Sequence, residues 1–174
     1  HFSYTFDEET GCLGAPFVLA DLKKRNINFS ACIIGEPTSM KAITAHKGYN
    51  EYITYFTGLS GHASNPENGV SAIEYAIRYS NKLIELRDEL KKRNSKKTSF
   101  SPSYSTLQIG KISGGIGANV IPDQCSLEWE VRPINKDDGD FVSKNIDTFA
   151  KDILCPEMKK NNPKGNIKKE IIGE

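Results

Sequence analysis

No apolar run in this 174-residue sequence approaches the roughly 20 residues that a membrane-spanning helix needs, so no segment is expected to cross a bilayer. An excess of either charge is missing too. Lys and Arg total 23, Asp and Glu total 22, and the net charge is +1 with His neutral. That balance excludes a histone-like or tail-type nucleic-acid binder, which needs a dominant positive field. Arginine is scarce, 5 against 18 lysines, so the surface is not specialised for bidentate phosphate capture. Cysteine is sparse: Cys12, Cys32, Cys125 and Cys155 are never closer than 20 residues, which leaves no CxxC zinc or redox motif. A domain of this size needs no disulfide staples, and we expect four reduced thiols in a cytoplasmic protein. The opening HFSYTF has neither the charged nor the apolar region of a signal peptide, and no initiator Met. The closing NIKKEIIGE runs on like a strand. We expect both ends to be cut from a longer chain. With 37% hydrophobic and 26% charged residues, the composition is that of a globular protein rather than a disordered one.

Periodicity divides the sequence near Gly48. Before it, residues 1–6 alternate like a strand, and Asp7-Glu8-Glu9-Thr10-Gly11 forms a turn. Residues 15–25 carry Phe17, Val18, Leu19 and Leu22 with a Lys-Lys-Arg finish, the pattern of a helix. Residues 31–34 make a short apolar strand closed by Gly35-Glu36-Pro37-Thr38. The order β, α, β is that of an α/β domain with a parallel sheet. Beyond Gly48, residues 49–56 alternate as a strand and residues 58–69 form a Gly/Ser/Asn/Pro loop. Residues 70–90 place Val70, Ile73, Ala76, Ile77, Leu83, Ile84, Leu86 and Leu90 at helical spacing. The following basic run, Lys91-Lys92-Arg93 with Lys96-Lys97, complements the helix dipole. Residues 104–112 read as a strand that could lie at a sheet edge, and residues 113–117 as a turn. In the next strand Cys125, Leu127, Trp129 and Val131 oppose Ser126, Glu128 and Glu130. Asp137-Asp138 is the expected N-cap of a helix bearing Phe141, Val142, Ile146, Phe149 and Ile153, and residues 161–165 turn into a last strand. The order βαββαβ is that of a ferredoxin-like two-layer α/β sandwich.

Four places could carry chemistry. Asp7-Glu8-Glu9 packs three carboxylates into one turn, where one could bind a metal while its neighbour takes a proton from bound water; the alternative is an exposed acidic turn. Glu36 closes a strand, where α/β sheets collect binding sites, although a Glu-Pro turn is also ordinary. His62, in Gly58-Leu59-Ser60-Gly61-His62-Ala63-Ser64, could donate to an oxyanion or be an idle surface residue. Arg132 could anchor a carboxylate bidentately or serve as a structural ion-pair partner. The run Gly114-Gly115-Ile116-Gly117 lacks the Lys-Ser/Thr of a phosphate loop and is not a nucleotide site.

In series, Asp7-Glu8-Glu9, Gly35-Glu36-Pro37-Thr38-Ser39, Ala45-His46-Lys47-Gly48, Ser60-Gly61-His62-Ala63-Ser64-Asn65-Pro66, Gly117-Ala118-Asn119-Val120-Ile121-Pro122 and Trp129-Glu130-Val131-Arg132 resemble the M20 metallopeptidase family. The resemblance implies a partial catalytic domain over residues 1–46 and a lid or dimerisation domain over residues 47–174. It implies hydrolysis of an N-acyl amino-acid amide by two zinc ions and a bridging water, with N-acetylornithine of arginine biosynthesis as the favoured substrate. By the same resemblance Glu8 is the general base, and Glu9 and Glu36 are metal ligands. His62 holds the oxyanion in the partner's site of a homodimer, and Asn119 and Arg132 bind substrate. The upstream His-x-Asp and downstream ligand His of that family are absent: none of His1, His46 and His62 is followed two residues on by Asp. Glu9 and Glu36 alone fall short of a catalytic zinc site, so this chain by itself is expected to bind zinc poorly and to be inactive. Three alternatives remain: a dimerisation module without chemistry, another M20 member such as a succinyl-diaminopimelate desuccinylase or a carboxypeptidase, and an RNA-binding ferredoxin-like domain. The last lacks the expected aromatic motif.

Overall fold

The structure is a computed structural model that describes residues 2–93 and 98–173. The chain divides into two compact units, His1–Thr44 and Ala45–Glu174.

In the second unit, period-2 alternation builds the sheet. Strand β1, Asn50–Thr57, buries Tyr52, Thr54 and Phe56 on one face. Strand β5, Gln124–Arg132, buries Cys125, Leu127, Trp129 and Val131 on the same face and leaves Ser126, Glu128 and Glu130 on the other. The two strands pair antiparallel from Asn50↔Val131 to Thr57↔Gln124. Strand β3, Thr106–Gly114, pairs with β5 and shifts register between Ile109 and Lys111, where Gly110 sits. Strand β6, Asn166–Gly173, pairs with the other side of β1. The order is β3-β5-β1-β6, antiparallel throughout, so β3 and β6 are the edges. Two further strands, β2 (Gly61–His62) and β4 (Val120–Ile121), form a separate two-stranded ribbon.

One face of the sheet is covered by helices. Helix α2, Ala72–Lys92, starts at Ser71, whose hydroxyl accepts from the Glu74 N–H, and ends in Lys91 and Lys92. Its buried residues are Ala72, Ala76, Tyr79, Leu83, Leu86 and Leu90, a 4-3-4-3-4 stripe. Ile77 and Ile84, expected on that stripe, lie seven residues apart on the outer face, and Tyr79 takes the inner position. The aromatic centre is Trp129, stacked on Tyr52 at 4.3 Å and edge-on to Tyr79 at 6.4 Å, with Phe56 edge-on to Tyr79 at 5.4 Å. Such pairs contribute about 1 kcal/mol each beyond their burial.

Helix α3, Lys136–Phe149, is capped by Asn135, whose Oδ1 accepts the Asp138 N–H at 2.9 Å. The expected cap, Asp137-Asp138, instead lies inside the first turn, and Asp138 is buried. A π-helical segment, Ala150–Leu154, joins α3 to α4, Cys155–Asn161. The wider turn advances the inner face by one residue, so Leu154 is buried where Ile153 was expected. Lys96 and Lys97 lie outside the described residues.

The first unit holds one helix, α1, Ala15–Lys24, and no strand among its described residues. The strands expected over residues 1–6 and 31–34 are corrected to irregular chain. A strand exists only by pairing with another, and here Phe2, Ile33 and Ile34 are exposed with no ladder to join. None of the apolar residues of α1 is buried.

Candidate functional site

Glu8 and Glu9 sit in a loop made by its own backbone. The Glu8 carbonyl accepts from the N–H groups of Gly11 (3.1 Å) and Cys12 (3.0 Å), and the Phe6 carbonyl accepts from Gly14 at 3.0 Å. Gly14 is required here, because a Cβ would stand 2.5 Å from the Phe6 nitrogen. Carbonyls turn into the loop and the Asp7, Glu8 and Glu9 side chains turn out, all exposed. Glu36 lies on exposed irregular chain just before a turn over Thr38–Lys41, whose Ser39 and Met40 are both left-handed. Among the described residues no three His, Cys, Asp or Glu side chains gather as a metal site.

His62 and Asn119 are brought together by the β2–β4 ribbon. His62 pairs with Val120, and the Ala63 N–H donates to the Asn119 carbonyl at 3.0 Å. Both side chains are exposed. The Ser64 N–H reaches the His62 Nδ1 at 3.2 Å, and the Ser64 hydroxyl lies 2.7 Å from the same nitrogen. A backbone N–H can only donate, so Nδ1 is the acceptor and the ring proton belongs on Nε2. That places an outward-facing N–H donor at the tip of the imidazole.

Arg132 ends β5. Its Nε and Nη2 both donate to Glu130 Oε2, at 3.1 and 2.8 Å, and its guanidinium lies 4.4 Å from the Tyr49 ring centre. The ion-pair role is thus present. Arg132 also lines an open cavity of about 470 Å³ together with His46, Lys47, Pro102 and Thr106. Lys47 Nζ donates to the Tyr104 carbonyl at 2.8 Å, and burial lowers its pKa below the ordinary lysine value. Sequence reasoning missed Lys47 as a lining residue of this pocket and Tyr49 as the ring against Arg132; the signal available was their place in Lys47-Gly48-Tyr49, directly ahead of β1.

The register separates these groups. Arg132 stands at the Asn50 end of the sheet, and the His62–Asn119 ribbon follows the Thr57 end. Between them runs the length of β1, roughly 23 Å at strand rise. Within one chain the two do not form a single site.

Comparison with known proteins gives consistent relatives. The family described as "Peptidase dimerisation domain" of the M20 group matches residues 44–156. The acetylornithine deacetylase of Proteus mirabilis is 42% identical over 152 residues, which is 87% of this chain and 37% of that protein. The acetylornithine deacetylase of Pasteurella multocida is 40% identical over 130 residues, 75% of this chain and 33% of that protein. The chain thus spans little more than a third of these relatives. Among solved structures, aminopeptidase PepT from Bacillus cereus superposes with a TM-score of 0.52 at 22% identity, over 71% of this chain and 28% of that one. An aminobenzoyl-glutamate utilization protein from Klebsiella pneumoniae gives 0.52 at 18% identity, over 74% and 28%. These likenesses concern the fold.

Proposed function

The chain belongs to the M20 peptidase dimerisation-domain family, and from that premise we propose that the whole protein hydrolyses the amide of an N-acyl amino acid as a homodimer. Its substrate on this reading is N-acetylornithine, cleaved to ornithine and acetate, because the relatives that match 75% to 87% of the chain bear the name acetylornithine deacetylase. The observation that carries the dimeric reading is the separation of Arg132 from the His62–Asn119 ribbon by the length of β1. A site that uses all three needs two chains.

In this mechanism Arg132 holds the substrate carboxylate, releasing Glu130 as it does so. Glu8 accepts the proton of the attacking water. His62 of the opposite chain donates its Nε2 proton as a hydrogen bond to the oxyanion that forms on the acyl carbon, and Asn119 binds substrate beside it. Zinc is the metal proposed for the whole protein, with Glu9 and Glu36 among its ligands. Among the described residues this chain gathers no complete metal-ligand group around them.

Complementation tests the arrangement. In the whole protein, Glu8→Gln and His62→Ala are each expected to abolish or sharply lower turnover of N-acetylornithine with metal content near normal. Mixing the two variants with subunit exchange restores one intact site in each mixed dimer, about a quarter of the wild-type sites for random pairing. No recovery would refute action in trans, and loss of metal in Glu8→Gln would mean that the roles of Glu8 and Glu9 are exchanged. A second reading is favoured by the free β3 edge: a dimerisation module with no chemistry of its own. It predicts concentration-dependent dimers and no turnover by the whole protein.

A further inference from the structure

Arg132 is held by more than its ion pair. It lies with Glu130, Glu51 and Tyr49 on the sheet face that the helices leave uncovered, and all four are half-buried. Glu51 stands directly across from Glu130. Beyond them the Gly48 N–H donates to the Pro133 carbonyl at 2.8 Å, which sets Tyr49 beside Arg132. The Tyr49 ring centre is 4.4 Å from the guanidinium, and its hydroxyl donates to Glu51 Oε2. Gly173 lies against the same ring, where a Cβ would stand 2.5 Å from Tyr49 Cε1. The β1–β6 register slips by one residue between Tyr52↔Ile171 and Glu51↔Gly173, and this slip brings the glycine to the ring. The ring is thus fixed at its root by backbone, at its tip by a carboxylate and along its edge by β6.

Carboxylates that face each other across two strands repel. Here each has its own donor. Glu130 takes two N–H groups of Arg132, and Glu51 takes the Tyr49 hydroxyl. Arg132 is a diagonal neighbour of Glu51, within reach of so long a side chain. Without the phenol, Glu51 becomes a second internal competitor for the guanidinium. The contact between the ring and the guanidinium uses none of the N–H groups that Glu130 occupies, so it persists while one carboxylate replaces another. Neither Tyr49 nor Glu51 is among the described residues that line the cavity onto which Arg132 opens.

We propose that Tyr49 is a positioning residue for Arg132: its ring holds the guanidinium in place while Glu130 gives way to the substrate carboxylate, and its hydroxyl keeps Glu51 from taking that place. The proposal rests on the reading of Arg132 as the carboxylate anchor, and it assigns Tyr49 no contact with substrate.

The test combines kinetics of the whole protein on N-acetylornithine with a direct view of Arg132. Arg132→Gln sets the scale, with KM expected to rise at least about tenfold. Tyr49→Leu should raise KM about fivefold and leave kcat within about twofold. Tyr49→Phe keeps the ring and should raise KM only about twofold, a rise that adding Glu51→Gln removes. In the ¹⁵N-labelled 174-residue chain, the Arg132 Nε–H signal is identified by its loss in Arg132→Gln. It should shift and broaden in Tyr49→Leu and stay near its place in Tyr49→Phe. A steep KM effect of Arg132→Gln beside a flat one for Tyr49→Leu would overturn the proposal alone. So would an Nε–H signal that Tyr49→Leu leaves unmoved, a loss of kcat at constant KM, or equal KM in Tyr49→Phe with and without Glu51→Gln. A flat KM for Arg132→Gln would overturn the anchor reading, and this proposal with it.

Discussion

Asp138 is the sharpest place to test how the second unit is held together. It is buried in the first turn of α3. Its Oδ1 takes the Arg93 Nε at 2.7 Å, and its Oδ2 takes the Ser105 hydroxyl. Ser105 in turn accepts the Ile134 N–H at 2.9 Å. One carboxylate therefore ties the end of α2, the approach to β3 and the start of α3. Asp138→Ala leaves the buried Ser105 hydroxyl without its charged acceptor, worth about 2 kcal/mol. Arg93 is 40% exposed and also lies 4.5 Å from the Phe141 ring centre, so its share is discounted to under about 1 kcal/mol. Loss of a negative charge in the first turn of the helix adds about 0.5 kcal/mol. The sum is about 3 kcal/mol. Urea unfolding followed by fluorescence of Trp129, the only tryptophan, reads this unit. With a slope of about 2 kcal/mol per molar, the midpoint should fall by roughly 1.5 M. Asp138→Asn keeps an acceptor and should lose about half as much. A loss below about 1 kcal/mol for Asp138→Ala, with unchanged slope, would refute the argument that this carboxylate is a three-way tie.

Other outcomes follow from single contacts. Gly58→Ala places a Cβ 1.9 Å from the Val70 carbonyl oxygen, in a segment whose N–H donates to Asp123 and whose carbonyl accepts from Asn162. It should destabilise by about 3 kcal/mol in the same unfolding assay, and a neutral result would contradict the backbone approach. The Arg78 hydrogen bond holds the Glu157 carboxyl below its ordinary 4.5, so the unfolded state binds more protons than the native state in that window. The pair's stabilisation is present above pH 4.5 and fades as pH falls through the lower native value, so Glu157→Gln should flatten that part of the acid limb; an unchanged limb would exclude it. The 174-residue chain should show no zinc-dependent release of acetate from N-acetylornithine, and turnover above the buffer rate would sink the view that Glu9 and Glu36 are an insufficient ligand set.

The second unit was largely legible because its signals are local. The alternation through Cys125, Leu127, Trp129 and Val131 fixes a face without reference to any partner. What was missed depends on phase and on pairing. The helix spacing over residues 70–90 is satisfied by more than one stripe, and contact with the sheet decides for Tyr79 against Ile77 and Ile84. A π-helical turn has no periodic signature, so the change from Ile153 to Leu154 could not be read. Asn135, Asp137 and Asp138 are all good caps, and burial of Asp138 against Ser105 selects Asn135. Residues 1–6 and 31–34 have strand composition, yet composition supplies no partner, and pairing is what makes a strand.

The candidate residues differ in how far this chain prepares them for chemistry. His62 is oriented by its neighbour: the Ser64 N–H settles the tautomer, and the ribbon pairing with Val120 fixes the backbone that carries the ring. A donor set in this way loses little freedom when it meets an oxyanion. Arg132 is likewise held, by Glu130 and the Tyr49 ring, at a geometry from which one carboxylate can replace another. Glu8 and Glu9 follow the opposite logic. Their loop spends its hydrogen bonds on its own carbonyls and leaves three adjacent carboxylates in water, where solvent screens their repulsion. Among the described residues no further His, Cys, Asp or Glu joins them in a metal-binding group. On the proposed mechanism, the oxyanion donor and the carboxylate anchor are therefore held by the fold of the second unit, whereas the acidic groups of the first are positioned by a turn alone.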